Sequence, residues 1–409
     1  MQKIFINIDT LLQVREENEV VKGANMAVVP EIKNAFLVVE NGLIKDYGKM
    51  SDISSNIYGE KIDCSGKTLM PAFCDSHTHL VYAGSREAEF VDKIKGLSYE
   101  EIAANGGGIL NSAKRLHNTS EDDLVAQALP RLEEIMMMGT GAVEIKSGYG
   151  LSVEDEIKML RVIKRLRGMS PLTIKSTFLG AHAIPVEYKE KRDIYVDMIV
   201  KEMLPIIKEE NLANYIDVFC DRGFFTVEET DKILQAGSDI GLQAKIHANE
   251  LDYSGGIQVG VKHNALSVDH LECTGDEEIE VLLNSNTMPT LLPSTAFFLK
   301  LHYPPARKMI DAGLPVAMAT DYNPGSSPSG KMPFIMSLAS IYMKMLPEEA
   351  LNAVTINSAY AMDLLEDHGS ITKGKKANFI TTSISSLAYI PYSFGSNLID
   401  EVYIEGEKQ

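Results

Sequence analysis

Eight apolar runs of strand length recur along the chain, and helical patterns fill the gaps between them. Strands that alternate with helices are typical of βα units, in which successive strands lie parallel in one sheet. Eight such units close a TIM-type barrel of roughly 250 residues. The pattern therefore predicts an α/β fold with a (β/α)8 barrel. The eight runs are Met70–His79, Gly141–Ile145, Leu172–Leu179, Ile216–Cys220, Leu242–Ile246, Leu266–Asp269, Met288–Leu292 and Pro315–Thr320.

Both chain ends carry a different pattern, with short β-like runs separated by turn signals such as Glu40-Asn41-Gly42. Runs of this kind return after residue 369, for example at 377–382 and 401–404. We expect the two ends to form one small β-sandwich domain, made of residues 1–65 and 369–409. The barrel, residues 66–368, is then an insertion in that domain.

Two helix boundaries can be predicted from capping signals. Ser120 precedes three acidic residues and begins a helix that we expect to run through Met138 and stop at Gly139. Thr226 opens another helix, which we expect to end near Gly237.

The composition excludes several classes of partner. A net charge of -18 disfavours nucleic acids and anionic membranes, which are bound through clusters of Lys and Arg. No apolar stretch of about 18 residues could span a bilayer, and the first residues lack a signal-peptide pattern, which predicts a cytoplasmic protein. The four cysteines are too few and too far apart for a disulfide framework or a CxxC metal site.

Side chains of metal-binding type follow several of the predicted strands. The first run ends in His77 and His79, the fifth in His247, the sixth in His270 and the eighth in Asp321. A His-x-His pair alone is weak evidence, but the carboxyl ends of barrel strands converge on one axial site. These five residues therefore predict a metal or proton-transfer site at that end of the barrel.

The chain resembles the amidohydrolase superfamily over essentially its whole length, including the split β domain. Pro71–His79 is similar to the first-strand motif of that superfamily, and Gly369–Phe379 is similar to its return to the β domain. Ala72 and Cys74 depart from the usual glycine and aliphatic residue, and neither is a ligand.

The resemblance also implies the metal content. Several subtypes carry a lysine at the end of strand four that bridges two metals, but here this strand ends in Phe219-Cys220-Asp221. Lys146 follows strand two and is a poor bridging candidate. The resemblance therefore implies one divalent metal ion, which a nitrogen-rich ligand set predicts to be zinc first and iron second. The implied ligands are His77, His79, His247 and Asp321, with His270 close by.

Six loop segments resemble the members of this superfamily that open an imidazolone ring in histidine degradation. The segments are Ala83–Glu87, Asn105–Ile109, Glu144–Leu151, Gly180–Ala183, His247–Glu250 and Asp321–Ser326. The resemblance implies metal-assisted hydrolysis of the cyclic amide of 4-imidazolone-5-propionate, which yields N-formimidoyl-L-glutamate. The implied substrate contacts are Arg86, Tyr149, His182, Glu250, Asn323, Gly325 and Ser326.

Roles within this set are distinguished by chemistry. A guanidinium can hold the propionate through two parallel hydrogen bonds, so Arg86 is expected to bind the substrate tail, although a salt bridge with Glu87 or Glu89 is the alternative. Asp321 and His270 would orient and deprotonate water, and Glu250 would exchange protons with the ring nitrogens. Which of these three is the general base is left open.

Two other functions are consistent with the same metal-binding residues. One is an aminohydrolase acting on a purine or pyrimidine ring, which Arg86 and the loop Ser147–Gly150 disfavour. The other is a non-catalytic scaffold, which the complete metal-binding set disfavours. The expected partner is a small anionic substrate, and family analogy alone suggests a homodimer.

Overall fold

The computed structural model describes residues 2–97 and 107–409. Asn105 and Gly106, from one of the loop segments above, lie outside these residues. The described part forms two eight-stranded sheets. Their strands, numbered β1 to β16, are Gln2–Leu12, Glu31–Glu40, Leu43–Lys49, Glu60–Asp63, Thr68–Pro71, Phe73–Asp75, Thr140–Lys146, Thr173–Ala181, Tyr215–Cys220, Gln243–Ala248, Ser267–His270, Met288–Leu291, Ala317–Met318, Phe379–Thr382, Glu401–Ile404 and Glu407–Lys408.

Strands β6 to β13 form the barrel, and each pairs in parallel with the next along the chain. The first and last strands meet just beyond their carboxyl ends. The His79 N–H donates to the Tyr322 carbonyl at 2.9 Å, and the Asp321 N–H donates to the His77 carbonyl at 3.0 Å. The barrel is therefore closed by the same segments that carry the predicted metal-binding residues.

The helices pack around the barrel and bury apolar faces, and each fully buried Leu or Ile contributes about 1.5–3 kcal/mol. No described helix is long and apolar enough to cross a membrane. The α-helices of the described residues are Glu87–Ile94, Ile109–His117, Glu121–Met137, Val153–Arg167, Arg192–Met198, Leu204–Glu210, Val227–Asp239, Gly256–Lys262, Asp276–Leu283, Pro293–Leu299, Ala306–Asp311, Met332–Tyr342, Pro347–Val354, Ile356–Tyr360 and Tyr389–Tyr392.

Both helix starts predicted from capping residues are found. The Ser120 hydroxyl accepts from the Asp123 N–H, and Thr226 forms a reciprocal capping box with Glu229. The first helix ends at Met137, within one residue of the prediction. The second continues two residues past Gly237, because Gly241, with φ +92°, supplies the left-handed turn after it.

The second sheet is built from both chain ends, in the order β16-β15-β14-β5-β1-β2-β3 with β4 beside β1. A bulge between Phe5 and Ile8 bends the long strand β1. Phe5 packs edge-on against Phe379 and Tyr403, so aromatic side chains from both ends share one core. The predicted fold class, a (β/α)8 barrel inserted in a β-sandwich, is confirmed; the numerical domain limits remain a prediction.

The chain passes from one sheet to the other within a single residue. The Ala72 N–H donates to the Asn378 carbonyl in the end domain, and the Phe73 N–H donates to the Gly139 carbonyl beside the barrel. The run that begins at Met70 is therefore two strands rather than one, and His77 and His79 follow the second of them on extended chain. This junction places the first barrel strand directly against the β domain.

Candidate metal centre and active-site cavity

Three imidazoles converge at the carboxyl end of the barrel. One ring nitrogen from each of His77, His79 and His247 lies within 4.8 Å of the other two. His79 Nε2 and His247 Nε2 are 3.4 Å apart. All three side chains are buried, and His77 Nε2 has no hydrogen-bond partner among the described residues. A buried ring nitrogen without a partner fits a metal ligand, since burying an unpaired polar atom is costly.

Burial favours the uncharged form of two of these rings, His77 and His79. It lowers the pKa of His77 and His79 well below the ordinary histidine value, and neighbouring Lys146 and His182 lower it further. A neutral imidazole keeps the lone pair that coordinates a metal. His77 and His79 can therefore serve as metal ligands at neutral pH.

Asp321, the fourth predicted ligand, lies beside the three imidazoles. Its Oδ1 lies 3.6 Å from both His77 Nε2 and His79 Nε2, while Oδ2 accepts from the Thr295 hydroxyl at 2.5 Å. The backbone at Asp321 is left-handed, with φ +52°, and His270 has φ +85°. Such backbone costs about 1–3 kcal/mol at a non-glycine residue and clusters at functional sites.

His270 lies beside the imidazole cluster, with its ring centroid 5.2 Å from that of His247 and 5.6 Å from that of His77. Its Nδ1 is 3.7 Å from Glu250 Oε2 and 3.9 Å from Glu272 Oε2. Burial and the proximity of other carboxylates raise the pKa of both glutamates, because two adjacent carboxylates cannot both ionise readily in a dry site. This arrangement can store a proton beside the metal-binding cluster.

One cavity of about 390 Å³ contains nearly all the predicted site. A pocket of this size matches a small-molecule substrate. The predicted residues that line it are His79, Arg86, Tyr149, His182, His247, Glu250, His270, Asp321, Asn323, Gly325 and Ser326. Of the predicted set, His77 alone lies behind the wall, where it is fully buried.

Arg86 lines this cavity and also forms the salt bridge considered as its alternative role. Its Nε donates to Glu89 Oε2 at 2.8 Å, and Nη2 lies 2.6 Å from the same oxygen. A Cβ at position 325 would clash with Arg86 Nη1, so Gly325 gives the guanidinium its space. Glu89 thus fixes the orientation of Arg86 at the cavity wall.

Tyr149 and His182 also line the cavity, beside His79. His182 stacks on His79 with a centroid separation of 5.2 Å, and its Nδ1 lies 3.0 Å from the Gly148 carbonyl. Gly148 has φ +113°, and a Cβ there would lie 2.8 Å from His182 Nδ1. Glycine is therefore required at position 148, and also at position 150, where a Cβ would meet the Glu156 backbone nitrogen.

Glu156, in the helix that follows, accepts hydrogen bonds from the Tyr149 loop. Its Oε1 accepts from the N–H groups of Gly150 and Leu151 at 2.6 and 3.1 Å, and Oε2 accepts from the Gly148 N–H at 3.0 Å. Burial raises the pKa of Glu156 to about 7 in spite of these hydrogen bonds. One buried side chain thus sets the conformation on both sides of Tyr149.

Replacing Glu156 with glutamine is expected to lower the free energy of unfolding by about 1–3 kcal/mol, because an amide has one acceptor oxygen for three N–H donors. Loss of loop geometry should also weaken substrate binding. Urea unfolding and KM measure the two effects. Glu154→Gln, an exposed change in the same helix, should alter neither; equal effects of the two variants would contradict this role.

Asn323 shapes the loop after the last barrel strand. Its Oδ1 accepts from the N–H groups of Gly325 and Ser326, both at 2.8 Å, and its Nδ2 donates to the Asp321 carbonyl at 2.7 Å. These bonds occupy the amide within its own loop. Asn323 therefore holds Asp321 and Ser326 in place at the cavity wall.

Sequence reasoning missed two kinds of residue. Side chains that line the cavity without carrying a motif were not predicted, among them Lys93, Phe224, Leu251 and Leu299. Glu272 was missed as well, although its place two residues after His270 was a usable signal. Lys146, predicted not to bridge metals, is fully buried at the end of β7 among carboxylates.

Comparison with known proteins places the chain in a family. The model of the amidohydrolase family matches residues 68–408. The chain is 60% identical to imidazolonepropionase of Flavobacterium johnsoniae over 409 residues, covering all of both chains. It is 44% identical to imidazolonepropionase of Alkaliphilus oremlandii over 406 residues, 98% of this chain and 96% of the relative.

Solved structures share the fold at low sequence identity. A triazine hydrolase variant superposes with a TM-score of 0.78 at 15% identity, covering 100% of this chain and 94% of the other. Guanine deaminase of E. coli has a TM-score of 0.76 at 13% identity, with 100% and 98% coverage. The chain belongs to the amidohydrolase family and, within it, to the imidazolonepropionases.

Proposed function

We propose that the protein hydrolyses the cyclic amide C–N bond of 4-imidazolone-5-propionate to give N-formimidoyl-L-glutamate, a step of histidine degradation. The observation that carries this proposal is that one cavity brings a partly buried arginine together with two of the three clustered imidazoles, while the third lies directly behind its wall. The imidazoles suit a metal that activates water, and the arginine suits a substrate carboxylate. Full-length relatives that are 57–60% identical carry the name of this activity.

The proposed metal site holds one divalent ion, with zinc preferred and iron second. When bound there, the ion would supply Lewis acidity that polarises the ring carbonyl and lowers the pKa of water. The proposed ligands are His77, His79, His247 and Asp321. The titratable groups around these ligands then need only to transfer protons.

Proton transfers in the proposed reaction involve three residues. Asp321 and His270 orient the attacking water and accept its proton, while the oxygen of that water bonds to the ring carbonyl carbon. The ring C–N bond breaks, and Glu250 donates a proton to the departing nitrogen. Glu250 suits this role because burial raises its pKa, so that it holds a proton where an exposed glutamate has lost it.

Substrate binding is proposed to use two groups of residues that line the cavity. Arg86 takes the propionate tail, and Gly325 and Ser326 lie beside it with Asn323 holding their loop. Tyr149 and His182 contact the ring on the side of His79. A small anionic substrate is expected to bind through Arg86 and Lys93, in spite of the net charge of -18.

Arg86→Ala is expected to raise KM about 10–100-fold and leave kcat within severalfold, since the guanidinium contacts the tail and not the reacting bond. Arg86→Lys should restore little, because an ammonium cannot form the paired hydrogen bonds. Steady-state kinetics with the natural substrate and with its neutral propionamide analogue test this. An equal loss on both substrates would contradict a contact with the carboxylate.

Product identification tests the proposed function. Purified protein supplied with zinc is incubated with 4-imidazolone-5-propionate while the ultraviolet absorbance of the ring is followed and N-formimidoyl-L-glutamate is measured. Guanine and adenine serve as comparison substrates, because a related fold occurs in guanine deaminase. Deamination of either purine without opening of the imidazolone would replace this proposal with an aminohydrolase.

Three further expectations stay predictions: a homodimer, a cytoplasmic location and no binding of nucleic acid. Size-exclusion chromatography with light scattering tests the first directly.

A further inference from the structure

Five charged side chains are buried inside the barrel beneath the imidazole cluster. Glu144, Lys146, Asp217, Lys245 and Asp269 are each at most 1% exposed. Burying charges is unfavourable unless they are closely paired, and apolar residues would often be as stable in their place. The presence of two lysines and three acids at this depth calls for a role beyond packing.

Lys146 is the link between two of these carboxylates. Its Nζ lies 2.8 Å from Asp217 Oδ2 and 3.6 Å from Asp269 Oδ2, and it also donates to Glu144 at 2.7 Å. Lys245 lies on the other side of Glu144 and donates to the Ser76 carbonyl. Lys146 is therefore the ammonium that contacts both Asp217 and Asp269.

The same two carboxylates contact two of the proposed metal ligands. Asp269 Oδ2 lies 2.6 Å from His77 Nδ1. Asp217 Oδ2 lies 3.0 Å from His247 Nδ1, and Asp217 Oδ1 accepts from the His247 backbone N–H at 3.1 Å. Asp269 thus holds the His77 ring through Nδ1, on the side away from the cluster, whereas Asp217 holds His247 through its backbone N–H and lies close to its Nδ1.

At His77 this geometry determines which ring nitrogen is free. A carboxylate that accepts from Nδ1–H fixes the tautomer and leaves the lone pair on Nε2. His77 Nε2 is the atom without a partner, and it faces Asp321. Without a cation between them, the carboxylates of Asp217 and Asp269 would repel each other and lose these orientations.

We propose that Lys146 is a positioning residue for the metal centre, which through Asp217 and Asp269 orients His77 and His247 together. The proposal rests on the metal site of the proposed function. It assigns to Lys146 an effect on metal affinity, whereas a structural ion pair would affect folding stability alone.

Zinc affinity measured without substrate tests the proposal. Folded Lys146→Gln and Lys146→Met proteins compete for Zn²⁺ against a chromophoric chelator, and we expect the dissociation constant to rise about tenfold or more. Visible absorption of the Co²⁺-loaded proteins should change as well, because the ligand geometry relaxes. Wild-type affinity together with an unchanged cobalt spectrum in Lys146→Gln would overturn the proposal.

Lys375→Met is the matched control. Lys375 is also buried, and its Nζ donates to the His368 carbonyl, away from the imidazole cluster. We expect this variant to bind zinc within about twofold of the wild type, whatever its stability. An equal loss of zinc affinity in both lysine variants would show a general effect of removing a buried charge and would overturn the proposal.

Asp217→Asn and Asp269→Asn keep the test decisive if the lysine variants do not fold. Each is nearly isosteric and should weaken zinc binding about 10–100-fold. Wild-type affinity in both would overturn the proposal. If the wild-type chain itself bound no stoichiometric zinc, the metal centre of the proposed function would fail first and this inference with it.

Discussion

His77→Ala is expected to remove the bound metal and the catalytic activity together. The imidazole is fully buried, lacks another partner for Nε2 and lies 3.6 Å from Asp321 Oδ1. Metal activation of water contributes several kcal/mol to catalysis, so kcat/KM should fall at least about 1,000-fold. Metal content after dialysis and steady-state kinetics on the same sample measure both losses.

His117→Ala is the control for this experiment. The His117 side chain is 63% exposed and contacts Asp155, outside the cavity. This variant should keep wild-type metal content and activity. A folded His77→Ala protein that retained stoichiometric metal would contradict the ligand assignment, even if its activity were lost.

Glu250→Gln is expected to lower kcat about 10²–10⁴-fold while metal content stays unchanged, because the amide cannot donate a proton as an acid does. Burial, with Asp321 and Asp221 nearby, raises the pKa of Glu250 above the ordinary value of 4.5. The acid form is lost as the pH rises through this raised pKa. Wild-type kcat should therefore fall on the alkaline side, and the residual activity of the variant should lack that dependence.

Asp252→Asn controls for a general effect on this loop. Asp252 lies two residues from Glu250 and pairs with the exposed Arg222 at 2.9 Å. Its variant should keep the wild-type kcat and the alkaline limb. If Glu250→Gln kept the same limb, another group would have to be the acid.

The strand ends were predictable because they depend on local patterns. Apolar runs located the barrel strands within a few residues. Because parallel strands end on the same face of a barrel, His77, His79, His247 and Asp321 could be grouped from the sequence alone. The Tyr149 loop was recognisable by its glycines. Position 148 requires glycine for two reasons, since its φ is positive and a Cβ there would contact His182 too closely.

Residues that act through non-local contacts were not predictable from pattern. The pairing of Lys146 with Asp217 and Asp269 joins positions 71 and 123 residues apart, and each residue alone resembles an ordinary strand position. The hydrogen bonds that Glu156 accepts from the Tyr149 loop depend on how the helix that carries Glu156 packs against this loop. The left-handed backbone at His270 and Asp321 is imposed by the surrounding fold. It could not be predicted, because neither position is a glycine.

Metal-dependent turnover tests the central claim most directly. Metal-free protein is titrated with Zn²⁺ while the formation of N-formimidoyl-L-glutamate from 4-imidazolone-5-propionate is measured at each ratio. The proposed mononuclear site predicts that activity rises linearly and reaches its plateau at one zinc ion per chain. A plateau at two ions would contradict the mononuclear site, and no product at any ratio in folded, metal-loaded protein would contradict the proposed function.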